Sequence, residues 1–191
     1  MPRIAPLTPP YPAEATAALT RMVPDGVEPI VLFRVLARNP TMADPMTVWG
    51  SYELGRTLSL SRREREIVID RTCARCRCEY EWGVHVAYFA ERVGFDRDQV
   101  TSLTHGGPAD PCWTDPAEAA LIAVVDQLHD SSHVDDAAWA ALAAHRSPEQ
   151  ILDVLLIAGW YHAVSYAANG AQVEHESWAP RFADYLPQDM L

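Results

Sequence analysis

Lysine is missing from this 191-residue chain: all 15 of its basic side chains are arginines. Without a side-chain amine, a Schiff-base mechanism, a lysine general base and the phosphate-gripping lysine of a P-loop are excluded. A dense basic run is also missing, and the formal net charge is -11. Such a chain repels phosphate backbones and anionic lipid, so neither nucleic acid nor a membrane is an expected partner. No stretch reaches the roughly eighteen uninterrupted apolar residues of a membrane span. The opening segment MPRIAPLTPPYP lacks the apolar run of a signal peptide. The expected location is the cytoplasm. Period-two alternation between hairpin turns is absent as well, which argues against a sheet.

What is present reads as helix. Hydrophobic residues make up 49% of the chain, enough to bury a core, and the length suits one domain spanning 1–191. Apolar residues recur at three- and four-residue intervals after recognisable start signals. Asp44 with Pro45 suits a cap and first turn before MTVWGSYELG, where Gly55 lies near the end. Ser61 with Glu64 forms a capping-box pattern before REIVIDR. Asp115, Pro116 and Glu118 repeat it before ALIAVVDQLHD. Ser147, Pro148 and Gln150 do so again before ILDVLLIAGWYHAVSYAA, with Gly170 as the expected stop. The stretch THGGPADPCWTDP reads as a long connection between helical halves. Pro2, Pro6, Pro9, Pro10 and Pro12 make residues 1–12 an extended arm. The expected class is all-α, a helical bundle.

Three of the four cysteines, Cys73, Cys76 and Cys78, crowd into six positions, and Cys112 lies far away. In a reducing compartment such crowding reads as reactive or metal-binding thiols. A helix starting at Cys78 places Glu81 three residues on and His85 four further, so the three share one face. Sulfur then stands where a capping box has a hydroxyl. A helix terminus and a nearby imidazole both lower a thiol's pKa, which makes Cys78 a candidate nucleophile and His85 its proton carrier. Glu66, on the preceding helix, is the candidate to orient the imidazole. The plain structural alternatives are an unreactive cap cysteine, a core histidine and an exposed glutamate. Cys73, Cys76 and Cys78 with His85 also make a possible zinc set, but one lacking a second well-formed ligand pair; no metal or cofactor is expected. Trp160, Tyr161, His162 and Tyr166 either line a substrate cavity or pack the last helix, and Trp82 serves as an anchor or a substrate contact. His129, His133, His145 and His175 fall at or beyond helix ends and are assigned no chemistry.

Glu66, eleven intervening residues, Cys78, and then His85, followed through YEWGVHVAYFAERVGF, resembles the active-site pattern of the alkylhydroperoxidase D and carboxymuconolactone decarboxylase family. The likeness is best over residues 45–105. It implies a helical fold that assembles into homo-oligomers, with a small-molecule substrate and, for the peroxidase members, a thiol reductant. In those members the glutamate is followed by C-x-x-C and then a histidine. Glu66 matches the glutamate, Cys78 the first cysteine and His85 the histidine, while Glu81 stands at the second cysteine. The literal C-x-x-C, Cys73 to Cys76, is out of register. A sulfenic acid on Cys78 therefore needs another resolving thiol, for which Cys73 or Cys76 is the candidate. The implied activity is that of a thiol-dependent peroxidase acting on small hydroperoxides. The resemblance leaves open a decarboxylase or lactone-processing enzyme in which His85 is the acid or base and Arg71 or Arg75 holds a substrate carboxylate. A non-catalytic helical scaffold is the third reading.

Overall fold

A computed structural model describes residues 1–24 and 26–187. Every regular element among them is helical. The chain gathers into two compact units, Met1–Leu58 with Ala168–Ser177, and Ser59–Ala167 with Trp178–Leu191.

The first unit holds α1 (Ala13–Met22), α2 (Val31–Leu36) and α3 (Pro40–Glu53). Ala15 and Leu19 of α1 are buried with Ala37, ringed by Leu7, Tyr11, Met22 and Phe33. Residues 1–12 carry no helix; the Arg3 N–H donates to the Ala171 carbonyl at 2.8 Å and that of Leu7 to Arg34 at 3.1 Å. α3 begins earlier than the Asp44–Pro45 pair suggests. Asn39 is its cap, accepting from the Met42 N–H, and Pro40 occupies the first turn. The cap-then-proline rule holds, but an upstream copy of the signal wins, leaving Asp44 inside the helix to pair with Arg21.

The second unit holds α4 (Arg62–Arg75), α5 (Glu79–His85), α6 (Arg97–His105), α7 (Pro116–Ser131), α8 (Asp136–Ala143) and α9 (Pro148–Ala171) up to Ala167. Ser61 and Glu64 close the expected capping box on α4. Asp115 caps α7, but Glu118 binds Arg63 at 2.5 Å instead of completing a box. α4 is the centre of this unit, packing against α5, α6 and α7. Nine consecutive residues, Arg65 to Cys73, are buried, so the helix is enclosed on every side. Its buried charges are therefore paired. Arg71 places Nε and Nη2 on the Asp126 carboxylate at 2.6 and 2.8 Å, and Nη1 on the carbonyls of Ser102 and Leu103 at the end of α6.

The last helix meets the length and mean hydropathy, 1.4, of a membrane span, yet half of that window is buried within the protein. Asp153 on α9 accepts from the Ser59 N–H and hydroxyl at 2.9 and 2.6 Å, as a core helix requires. Gly170 does not end it. Gln172 takes the left-handed position at φ 52° and its neighbour Val173 bonds back to Ala168.

Candidate active site

α4 ends in a turn that delivers Cys78. Arg77 adopts φ 53°, the position usually given to glycine, while its N–H reaches Ala74 at 2.9 Å and that of Cys78 reaches Cys73 at 2.8 Å. This is a Schellman ending, with an arginine held in a left-handed conformation that costs about 1 kcal/mol. Cys78 then becomes the N-cap of α5. At the other end of α5 the chain passes from His85 directly into a π turn, Val86–Ala90. Such turns are frequent beside functional residues. Gly83 admits the close passage of residues 179–180, since a Cβ there would lie 2.5 Å from the Pro180 oxygen. The same segment seals Trp82 beneath Phe182 and Tyr185.

Glu66 and His85 meet at the buried face between α4 and α5. His85 Nδ1 lies 2.7 Å from Glu66 Oε2, and Arg65 holds Glu66 Oε1 through Nε at 2.7 Å and Nη2 at 2.5 Å. On the other side of the ring, Nε2 lies 3.1 Å from the Tyr161 hydroxyl and 3.6 Å from Glu81 Oε1. Burial alone pushes the imidazole pKa down, but Glu66 and then Glu81 more than offset it and raise it to about 10. His85 is therefore an imidazolium at neutral pH, donating from Nδ1 to Glu66 with Nε2–H left for chemistry. Asp70, one turn along α4 from Glu66, behaves oppositely. Burial first, and then the Glu66 charge, push its carboxyl well above the usual range, so it keeps its proton. Neither of its oxygens has a hydrogen-bond partner among the described residues.

The Cys78 thiol is fully buried at the head of α5. Burial pushes its pKa up to about 11; the Glu81 N–H and the Ser165 hydroxyl pull the other way, and the Glu81 carboxylate adds to the rise. The expectation of a thiol activated by the helix end is thus overturned, because desolvation exceeds the help of one N–H. Among the described residues His85 hydrogen-bonds Glu66 and Tyr161, not Cys78. Glu81 is the group that feels both, linking thiol to ring. At pH 7 only about one Cys78 thiol in ten thousand is ionised. Iodoacetamide should therefore label Cys112 and Cys76 before Cys78, with the Cys78 rate rising about tenfold per pH unit up to about 11. Rapid Cys78 labelling at pH 7 in a mass-spectrometric time course contradicts this.

Other sequence candidates fall elsewhere. Arg71 spends all three nitrogens on Asp126 and on carbonyls, which leaves it no donor for a substrate carboxylate, and Arg75 pairs with Asp126 and Asp130. Trp82 is buried core, Trp160 is half-buried, and Tyr161 of that aromatic group joins the His85 cluster. His162 instead contacts His129 at 3.0 Å. Cys73 is buried near Cys78, its thiol pushed well up by burial and then by the Cys78 charge. Arg65, Asp70 and Ser165 escaped the sequence reading. The four-residue spacing of Glu66 and Asp70 on one helix is the signal by which the carboxylate pair could have been found.

Solved structures share this arrangement of helices. An uncharacterised peroxidase-related protein from Silicibacter sp. TM1040 superimposes with a TM-score of 0.76 at 18% identity, over 94% of this chain and 96% of that one. A peroxidase-related protein from Ralstonia eutropha JMP134, described as an alkylhydroperoxidase AhpD core, gives 0.73 at 16%, over 91% and 93%. The fold is AhpD-like. The debrominase Bmp8, solved in complex with 2,3,4-tribromopyrrole, also has this fold, with a TM-score of 0.75 at 14% identity and 92% of each chain covered. No family profile and no curated protein matches the chain by sequence. The AhpD-like fold thus hosts more than one chemistry, and the side chains must carry the functional argument.

Proposed function

We propose that this chain is a member of the carboxymuconolactone decarboxylase and AhpD-like family acting as a Cys78-dependent peroxidase on small hydroperoxides. The observation that carries the reading is the buried cluster in which Glu81 lies 3.6 Å from His85, His85 binds Glu66 and Glu66 binds Arg65, with Cys78 at the head of the same helix within the electrostatic reach of Glu81. Glu81 accepts the thiol proton, and the thiolate attacks the terminal peroxide oxygen. The S–O bond forms, the O–O bond breaks, and the departing alkoxide takes the proton on His85 Nε2. Glu81 then returns its proton to His85, leaving Cys78 sulfenic acid and an alcohol. The sulfenic acid condenses with a first thiol, from the reductant or from Cys73 or Cys76, releasing water and forming a disulfide; further reductant thiol then exchanges with that disulfide, regenerating Cys78 and leaving the reductant as its own disulfide. The protein is taken to work in the cytoplasm as a homo-oligomer. Exposed Leu152 and Leu156, one turn apart on α9, support self-association.

A second reading is favoured by the raised Cys78 pKa: Glu66, His85, Glu81 and Tyr161 form a complete acid and base set without the thiol. It makes the protein a decarboxylase or lactone-processing enzyme. Mixing the protein with one equivalent of hydroperoxide and following peroxide loss and cysteine oxidation by mass spectrometry separates the two. The expected result is stoichiometric loss, oxidation at Cys78, and a fall of at least about 100-fold in Cys78→Ser. Equal loss in Cys78→Ser rules out the peroxidase reading.

A further inference from the structure

We propose that Cys76, His129 and His162 form a metal site for zinc, distinct from the Cys78 and His85 centre. The three residues come from three helices of the same unit: Cys76 caps the end of α4, His129 lies in the last turns of α7 and His162 lies in α9. Their donor atoms all fall within 4.8 Å of one another. Cys76 Sγ is 3.8 Å from His129 Nδ1, and His129 Nδ1 is 3.0 Å from His162 Nε2. A tetrahedral zinc with Zn–S of about 2.3 Å and Zn–N of about 2.0 Å sets its ligands roughly 3.5 Å (S to N) and 3.3 Å (N to N) apart. The two separations to His129 are within a few tenths of an ångström of that, a shift that side-chain rotation supplies.

The ring nitrogens are also prepared. His162 Nδ1–H donates to the Ala158 carbonyl at 2.7 Å, which leaves the lone pair on Nε2, the atom that faces the cluster. This is the backbone hydrogen bond that orients a metal-bound histidine and fixes its tautomer. The Arg75 charge nearby is balanced by Asp126 and Asp130. His129 Nδ1 faces both the His162 nitrogen and the Cys76 sulfur, and the Ser165 hydroxyl also bonds that sulfur. Thiolate with two imidazoles is a zinc donor set of three protein ligands, leaving a fourth position for water or another ligand. Binding displaces the Cys76 thiol proton and moves the His129 proton from Nδ1 to Nε2, so one proton is released per ion. A metal-bound Cys76 is withdrawn from thiol chemistry, leaving Cys73 as the cysteine beside Cys78.

The test titrates the full chain with cobalt(II) and zinc(II), following absorption, calorimetry and bound metal after dialysis. The expected result is one equivalent with a thiolate-to-cobalt charge-transfer band. Cys76→Ser and His162→Gln should each lose more affinity than the roughly 10–100-fold that removal of an outer hydrogen-bond partner costs. Cys112→Ser should bind as the unaltered protein does. Absence of the band in the unaltered protein overturns the proposal whether or not the variants fold. So does binding that survives both substitutions or that is lost in Glu66→Gln instead.

Discussion

Glu66→Gln should lower the unfolding free energy by about 3–5 kcal/mol, because it leaves Arg65 and His85 buried without their shared counter-charge. Arg65 contacts Oε1 of Glu66 through Nε and Nη2 and His85 binds Oε2, so one carboxylate holds two cations in a site closed to water. The same substitution removes the strongest influence raising the imidazole, and burial then drives its pKa down. His85 loses the proton it is proposed to donate, and turnover should fall by about 100-fold or more. Asp70→Asn, one turn away, should change stability by less than about 1 kcal/mol, since a neutral carboxyl with no hydrogen-bond partner is replaced by a group of its own shape. Urea unfolding of both variants measures the contrast. Equal effects would mean that Glu66 and Asp70 share one charge, and the assignment of ionised and neutral partners fails.

Stability should also fall steeply on the alkaline side. The folded His85 holds its proton up to about 10, whereas the unfolded side chain releases it near its ordinary 6.5. Between those values the native state binds more protons than the unfolded chain, so raising the pH favours unfolding. The contribution is fully present below 6.5 and gone above about 10. At about 1.4 kcal/mol per unit of separation it is on the order of several kcal/mol. Cys78 adds in the same direction, holding its proton in the fold to about 11 against an ordinary 9.0. Denaturant midpoints at pH 6, 8 and 9.5 should therefore decline together with the His85 ring titration seen by NMR. In His85→Gln the decline between pH 7 and 9 should flatten. An unchanged slope in that variant assigns the titration to another group.

Much of the fold was legible because its signals are local. Ser61 with Glu64 and Ser147 with Gln150 each satisfy backbone donors within four residues, so a sequence containing them forms that helix start in almost any setting. Asp44 misled for the same reason: two cap-and-proline signals lay five residues apart, and which one opens the helix depends on packing the sequence does not display. The spacing of Cys78, Glu81 and His85 was likewise readable, since three- and four-residue steps fix one helix face.

What the sequence by itself determined, then, is the helical class, the start of α4 at Ser61, and the placement of Cys78 at the head of α5 ahead of Glu81 and His85. Tertiary structure decided the chemistry of those groups. A thiol at a helix terminus has its pKa lowered when water reaches it and raised when it is buried, and burial is a property of neighbouring helices. His85 became a cation only because α4 brings Glu66 to 2.7 Å, and His129 meets Cys76 and His162 only because α4, α7 and α9 converge there. Proton affinity depends on charge and solvent within a few ångströms, and those neighbours come from residues far apart in the chain.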